Sequence, residues 1–106
     1  MSSQHSAQFT VGMIIRHRLF EYRGVIADVD AEFGMDDDWY ERMAQSKPPK
    51  TEPWYHVLVD GSEQQTYVAE RNLLLDDSLQ PINHSRIKDY FQGLEDGRYR
   101  PRESRM

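Results

Sequence analysis

The chain contains no cysteine. That removes disulfides, thiolate nucleophiles and the common thiolate zinc sites together, and it fits a reducing compartment. It also lacks any apolar run near the roughly 20 residues needed to cross a bilayer. Its first ten residues, MSSQHSAQFT, have neither a basic n-region nor an apolar h-region. A cytoplasmic protein without a membrane role is expected. Glycine-rich phosphate loops are missing as well, since Gly12, Gly24, Gly34, Gly61, Gly93 and Gly97 stand alone. G-x-S-x-G and H-E-x-x-H are absent too, so no nucleophile is paired with a base by motif and no enzyme is expected. Nor is positive charge abundant. The formal net charge of -5 argues against nucleic-acid affinity built on blanket phosphate neutralisation.

What charge there is falls unevenly. At 106 residues the chain has room for one domain. Residues 1–24 set Arg16, Arg18 and Arg23 against Glu21, whereas residues 25–52 hold eight acidic side chains against three basic ones. Residues 53–83 remain acidic, and residues 84–106 turn basic again through Arg86, Lys88, Arg98, Arg100, Arg102 and Arg105. An acidic total can therefore conceal a polarised surface.

Residues 11–18, VGMIIRHR, and 22–29, YRGVIADV, are β-branched runs joined by Leu19-Phe20-Glu21 and predict two strands of a meander. Gly24 inside the second run predicts a bulge or sharp bend. Residues 53–61, PWYHVLVDG, place three rings at the head of a third strand. An Asp60-Gly61 turn signal then leads to a fourth strand over residues 65–69. Alternation sets Tyr55 on one face with Val57 and Val59, and Trp54 and His56 on the other with Leu58. Apolar residues on both faces predict a strand covered on both sides for part of its length. Two readings of the rings stand side by side: core packing with a satisfied polar tip, and exposure for recognition.

Between the second and third strands, residues 30–53 form an acidic insertion. Asp36-Asp37-Asp38 head a short amphipathic helix containing Trp39, Tyr40, Met43 and Ala44, with Trp39 and Met43 packing back on the sheet. Residues 70–75 read as a turn feeding a short apolar segment, and residues 81–83 as a short closing strand. Ser85 then caps a C-terminal helix whose Ile87, Tyr90, Phe91 and Leu94 form one stripe, with Gly97 as its stop. Residues 1–8 are expected to fray, residues 9–97 to form the domain, and the Arg-rich residues 98–106 to be a disordered tail. His17 and His56 both fall on strands and could in principle share a metal, but no further ligands are supplied. The reading adopted is imidazoles hydrogen-bonded at the edge of the core, with no metal and no cofactor.

Taken together, IIRHRLFEYRGVIADVD, PWYHVLVDG, TYVAERNL and INHSRIKDYFQG resemble the HspQ and YccV-like family of hemimethylated-DNA-binding domains. The likeness runs from about residue 9 to residue 99. It implies a mainly β fold, a small, strongly bent SH3-like β-barrel of about five strands with a short helical insertion and a C-terminal helix. The family's bacterial members are described as cytoplasmic heat-shock proteins, nucleoid-associated when bound to DNA. They bind hemimethylated duplexes and restrain expression of the replication initiator DnaA. A second role attached to the family is that of an adaptor for the Lon protease and its substrates, and a homo-oligomer is compatible with either. Sensing one extra methyl group in the major groove calls for apolar or aromatic contact, while arginines contribute phosphate contacts that position the protein. The expected DNA-binding set is Arg16, His17, Tyr22, Arg23, Trp54, Tyr55, His56 and Tyr67, with the arginines beside the rings.

Overall fold

The computed structural model describes residues 7–44 and 46–102. The first six positions of the expected N-terminal tail and the last four of the C-terminal tail lie outside the described residues. The fold is mainly β, with seven strands and two short helices among the described residues. The strands β1 (Ile14–His17), β2 (Arg23–Asp30), β3 (Trp54–Val59), β4 (Gln65–Ala69) and β5 (Leu73–Leu75) form one antiparallel sheet in the order β4-β3-β2-β1-β5. These are the β-branched and aromatic runs of the sequence, which suit a pleated surface buried on both sides.

A closed barrel is not formed. Among the described residues the outer strands β4 and β5 pair only with β3 and β1 respectively. Between them a single 3₁₀ turn, Glu70–Asn72, carries the chain straight on without a hairpin reversal, so the two outer strands never lie side by side.

Alternation along the strands builds a core on each face. One contains Phe9, Ile15, Ile26, Tyr55, Val57, Val68 and Leu73, drawn from all five strands and the segment before β1. The opposite face contributes Ile14, Val25, Ala27 and Leu58, which are covered by Ile82, Phe91 and Tyr99. Each fully buried Ile, Val or Leu contributes about 1.5–3 kcal/mol, so both faces stabilise the sheet. The burial of β3 on both sides follows the expectation from its sequence.

The bulge in β2 falls between Ile26 and Asp28, beyond the Gly24 that predicted it. Gly24 serves close approach instead. A Cβ at that position would lie 2.5 Å from Val57 Cγ1 and 2.7 Å from Leu58 O.

The insertion carries the helix α1 (Asp37–Met43), capped by the Asp36 carboxylate, which accepts the Trp39 N–H at 2.8 Å. Phe33, Trp39 and Tyr40 pack it onto Trp54, Ala69 and Tyr67 in a third cluster. Met43 does not pack back. It stands 57% exposed.

The expected C-terminal helix shrinks to the single turn α2 (Ile87–Tyr90), and Arg86 rather than Ser85 occupies its N-cap without a side-chain bond. Ser85 donates to Glu63 instead. Beyond α2 the chain forms an antiparallel hairpin, β6 (Phe91–Glu95) and β7 (Arg98–Pro101). Asp96 and Gly97, at φ 56 and 77, make its two-residue turn. Residues 98–101, assigned to a disordered tail by composition, are therefore a strand. Residues 81–83 are not one, although Ile82 is buried. The hairpin docks where β1 begins: Met13 and Arg98 form an isolated bridge, and the Tyr99 N–H donates to Gly12 O at 2.8 Å. Gly12 has φ 96, and a Cβ there would lie 2.1 Å from Tyr99 O. Only glycine meets both demands. Among the described residues no helix is long and apolar enough to cross a membrane.

Candidate functional site

The outer edge of β4 forms the floor of a cleft of about 730 Å³. On one side stands the β1–β2 turn with His17, Leu19, Phe20 and Tyr22, and on the other the insertion with Met35, Trp39 and Met43. Trp54, His56 and Tyr67 also line it. The cleft thus gathers five of the eight residues expected to form a site. Among the described residues no lysine or arginine lines it.

Hydrogen bonds fix these rings. The Tyr67 hydroxyl donates to Asp30 Oδ2 at 2.6 Å and accepts the Gly34 N–H at 2.8 Å, while its ring stacks on Trp54 at 5.2 Å. His56 Nε2 lies 3.3 Å from the same Asp30 oxygen, with its ring 4.6 Å from that of Tyr67. Trp54 is buried and donates its indole N–H to Pro49 O at 3.1 Å. Tyr22 is bonded to Thr66 Oγ1 at 2.8 Å. His17 Nδ1 accepts the N–H groups of both Leu19 and Phe20 at 3.1 Å, and Phe20 stacks on its ring at 4.6 Å. A ring nitrogen accepting two amides carries no proton. Burial, and then the neighbouring Arg18 charge, lowers the His17 pKa in agreement. Burial raises that of Tyr22, and burial reinforced by the bond to Asp30 raises that of Tyr67 well above the ordinary phenol range. These phenols remain protonated donors at physiological pH.

The other three expected residues lie elsewhere. Tyr55 is fully buried in the first core, where its hydroxyl donates to Glu70 Oε1 at 2.5 Å and accepts the Phe9 N–H at 3.3 Å. Arg16 and Arg23 are cross-strand neighbours that point away from His17 and Tyr22, and although they share a face with Trp54 and His56 they stand at the opposite end of β2, whose Asp30 pairs with Trp54. The arginines are therefore not beside the rings. Arg23 is also committed internally: it reaches Asp76 at 2.9 Å, Asp60 at 3.0 Å and the Gln80 carbonyl at 2.5 Å. Burial works to raise the Asp76 pKa, yet bonds from Ser78 and Arg23 hold it below the usual carboxylate value. Arg16 is exposed, with the exposed Leu74 directly across from it on β5.

His17 and His56 cannot share a metal, since β2 runs between their strands. Asp28, Asp30 and His56 do bring ligand-type atoms within 4.8 Å of one another. Asp30 already accepts from Tyr67 and lies within hydrogen-bond reach of His56 there, while Asp28 accepts the Val29 N–H.

Reading from sequence missed two groups. Leu19 and Phe20, 49% and 65% exposed, were only a connector, yet large apolar side chains in a three-residue link are a signal in themselves. Arg98 and Arg100 were assigned to a tail, but they project from the hairpin on the opposite side of β7 from the buried Tyr99.

A family model described as hemimethylated DNA-binding protein YccV like matches residues 7–98. The chain belongs to the YccV-like family. The match spans every strand of the sheet, the insertion and β6, and it reaches the first residue of β7. In this YccV-like chain no arginine among the described residues lines the aromatic cleft.

Proposed function

We propose that the chain is a non-enzymatic regulatory protein of the heat-shock type that binds hemimethylated DNA and modulates expression of a replication initiator. The five-strand order with a 3₁₀ turn before β5 favours an SH3-like relationship for its fold. The observation that carries the reading is the convergence of the two basic stretches of an acidic chain. The Gly12–Tyr99 bond and the Met13–Arg98 bridge hold residues 12 and 13, three positions before Arg16, against the hairpin that bears Arg98 and Arg100. Phosphates are met by Arg16, Arg98 and Arg100, the last two leaving their exposed partners Thr10 and Glu95 to do so. Leu74, beside Arg16, offers the apolar contact that a methyl group in the major groove requires. Arg23, Trp54 and Tyr55 hold the framework. Such a protein works in the cytoplasm and on the nucleoid.

The test is fluorescence anisotropy with unmethylated, hemimethylated and fully methylated forms of one duplex at two salt concentrations. The expected result is preference for the hemimethylated form. Loss of Arg16, Arg98 and Arg100 together weakens all three forms and flattens the salt dependence by about 0.9 in slope for each contact removed. Leu74→Ser reduces the preference and leaves the slope unchanged. Equal, weak binding to all three duplexes sinks the reading.

A second reading, an adaptor for the Lon protease, is favoured by the cleft, which is apolar and free of cations. None of those three arginines lines the cleft, so the two roles are compatible. Stimulation of Lon-dependent degradation that survives the triple arginine substitution separates them.

A further inference from the structure

We propose that the cleft captures an extended peptide segment as an additional strand on β4, with apolar side chains on both of its faces and a basic residue at its flank. This rests on the protein-binding half of the adaptor reading.

The backbone supplies the first argument. The β3–β4 ladder is bounded by Val59 N–H to Gln64 O at 3.1 Å and Glu70 N–H to Pro53 O at 3.0 Å. In an antiparallel pair, hydrogen-bonded and non-hydrogen-bonded positions alternate. Residues 64, 66 and 68 therefore turn their polar groups toward β3, and Gln65, Tyr67 and Ala69 turn theirs outward along the edge. No backbone bond among the described residues uses those three N–H groups from the outer side. An edge with a row of outward donors and acceptors is a template for one more strand.

The walls supply the second. They stand on opposite faces of β4: Thr66 points toward Tyr22 and the first core, whereas Tyr67 points toward Trp54 and the insertion. Successive side chains of an added strand would enter the two walls in turn, the first formed by Leu19, Phe20 and Tyr22, the second by Met35, Trp39 and Met43. Leu19, Phe20, Met35 and Met43 are 49%, 65%, 43% and 57% exposed. Methionine and leucine walls adapt to varied side chains, which suits a site that reads pattern more than sequence.

Charge supplies the third. Each basic residue of 25–52 is already paired: Arg42 with Asp38, Lys47 with Glu41, Lys50 with Asp37. Seven acids against these three leave the insertion, residues 30–53, with an acidic excess. A segment with a lysine or arginine just outside the apolar core is favoured over an acidic one.

The probe is the capped heptapeptide Arg-Leu-Val-Phe-Thr-Leu-Lys, titrated into the full-length ¹⁵N-labelled protein. Binding is expected to slow hydrogen exchange at Gln65, Tyr67 and Ala69 at least tenfold. Phe20→Asp and Met43→Asp, both at exposed positions, should each weaken binding at least tenfold without changing the melting temperature. The same peptide N-methylated at alternate amides should not bind. The proposal is overturned if the wild type does not bind the peptide, if protection appears away from β4, or if the N-methylated peptide binds equally well. In a parallel degradation assay, stimulation of Lon unchanged by Phe20→Asp and Met43→Asp overturns the cleft and leaves the adaptor reading standing. Peptide capture on β4 without any stimulation supports the cleft and removes the adaptor reading.

Discussion

Replacing Arg23 with alanine separates a structural arginine from a DNA-contacting one. Its guanidinium joins Asp60 in the β3–β4 loop, Asp76 just after β5 and the Gln80 carbonyl, three points far apart in the chain. The Asp76 carboxylate is only 7% exposed, so truncation leaves it with the Ser78 hydroxyl at 2.6 Å as its remaining side-chain donor. Breaking a fully buried pair costs about 3–5 kcal/mol, and an exposed one about 0–1. Because the Arg23 side chain is 22% exposed and the carbonyl it leaves can take water, the expected loss is about 2–4 kcal/mol. For a domain of this size that lowers the melting temperature by roughly 10–20 °C. The assay is urea and thermal unfolding of Arg23→Ala, Asp76→Asn and the double variant. The double variant should be less destabilised than the sum of the two single ones, since it leaves no stranded charge. The pH dependence has a defined sign. Asp76 has a depressed pKa in the fold, so its contribution is present above the unfolded value near 3.9 and is lost as pH falls through the folded value. Arg23→Ala should flatten that acid limb. Unchanged melting, together with a reduced salt slope for DNA binding, would refute the clamp and return Arg23 to the interface.

Three further outcomes are expected. His17 is held neutral by its two amide donors and has a lowered pKa, so stability should decline as pH falls below the unfolded value near 6.5. Thermal melts of His17→Asn between pH 7.5 and 5 should show that decline removed. Gly12→Ala places a Cβ against Tyr99 O at a positive φ. It should cost about 2–4 kcal/mol, with the hairpin amides exchanging faster than those of β3; equal exchange would count against this anchoring. Tyr55→Phe deletes the hydroxyl between Glu70 and Phe9. It should lower stability by about 1–3 kcal/mol in urea titration and leave peptide and DNA binding unaltered.

The five sheet strands were legible because their β-branched runs are separated by recognisable turns. The C-terminal segment misled for a specific reason. A register shift between Phe91 and Gly93 inserts Gln92 as an extra residue in β6. That breaks the two-residue period, so the three-residue step from Phe91 to Leu94 imitates a helix. The Asp96-Gly97 pair carried the correct hairpin signal. In the site, the rings of β3 and β4 were visible from their spacing, and so was the division of Tyr55 from Trp54 and His56. Strand parity turns Arg16 away from His17, but the separation of both arginines from Trp54 and His56, whose face they share, follows from the β2–β3 register and was not legible. The second wall of the cleft was not legible, because it depends on how a long insertion folds back, and nothing local encodes that. Closure failed for a similar reason: a three-residue link reveals a turn but not its direction.

The docking of β6 and β7 also orders events during synthesis. Every strand of the main sheet is made before residue 91, yet Ile14, Val25 and Leu58 stay uncovered on one face until Phe91 and Tyr99 arrive. The contact between residues 12 and 99 is among the most distant along the chain that the described residues make, so its loop-closure cost falls late. A nascent chain halted before residue 91 would present a half-finished sheet with a sticky apolar face and two unpaired edges. The hairpin thus acts as a completion check, and a chain lacking it should be seen first by chaperones and proteases.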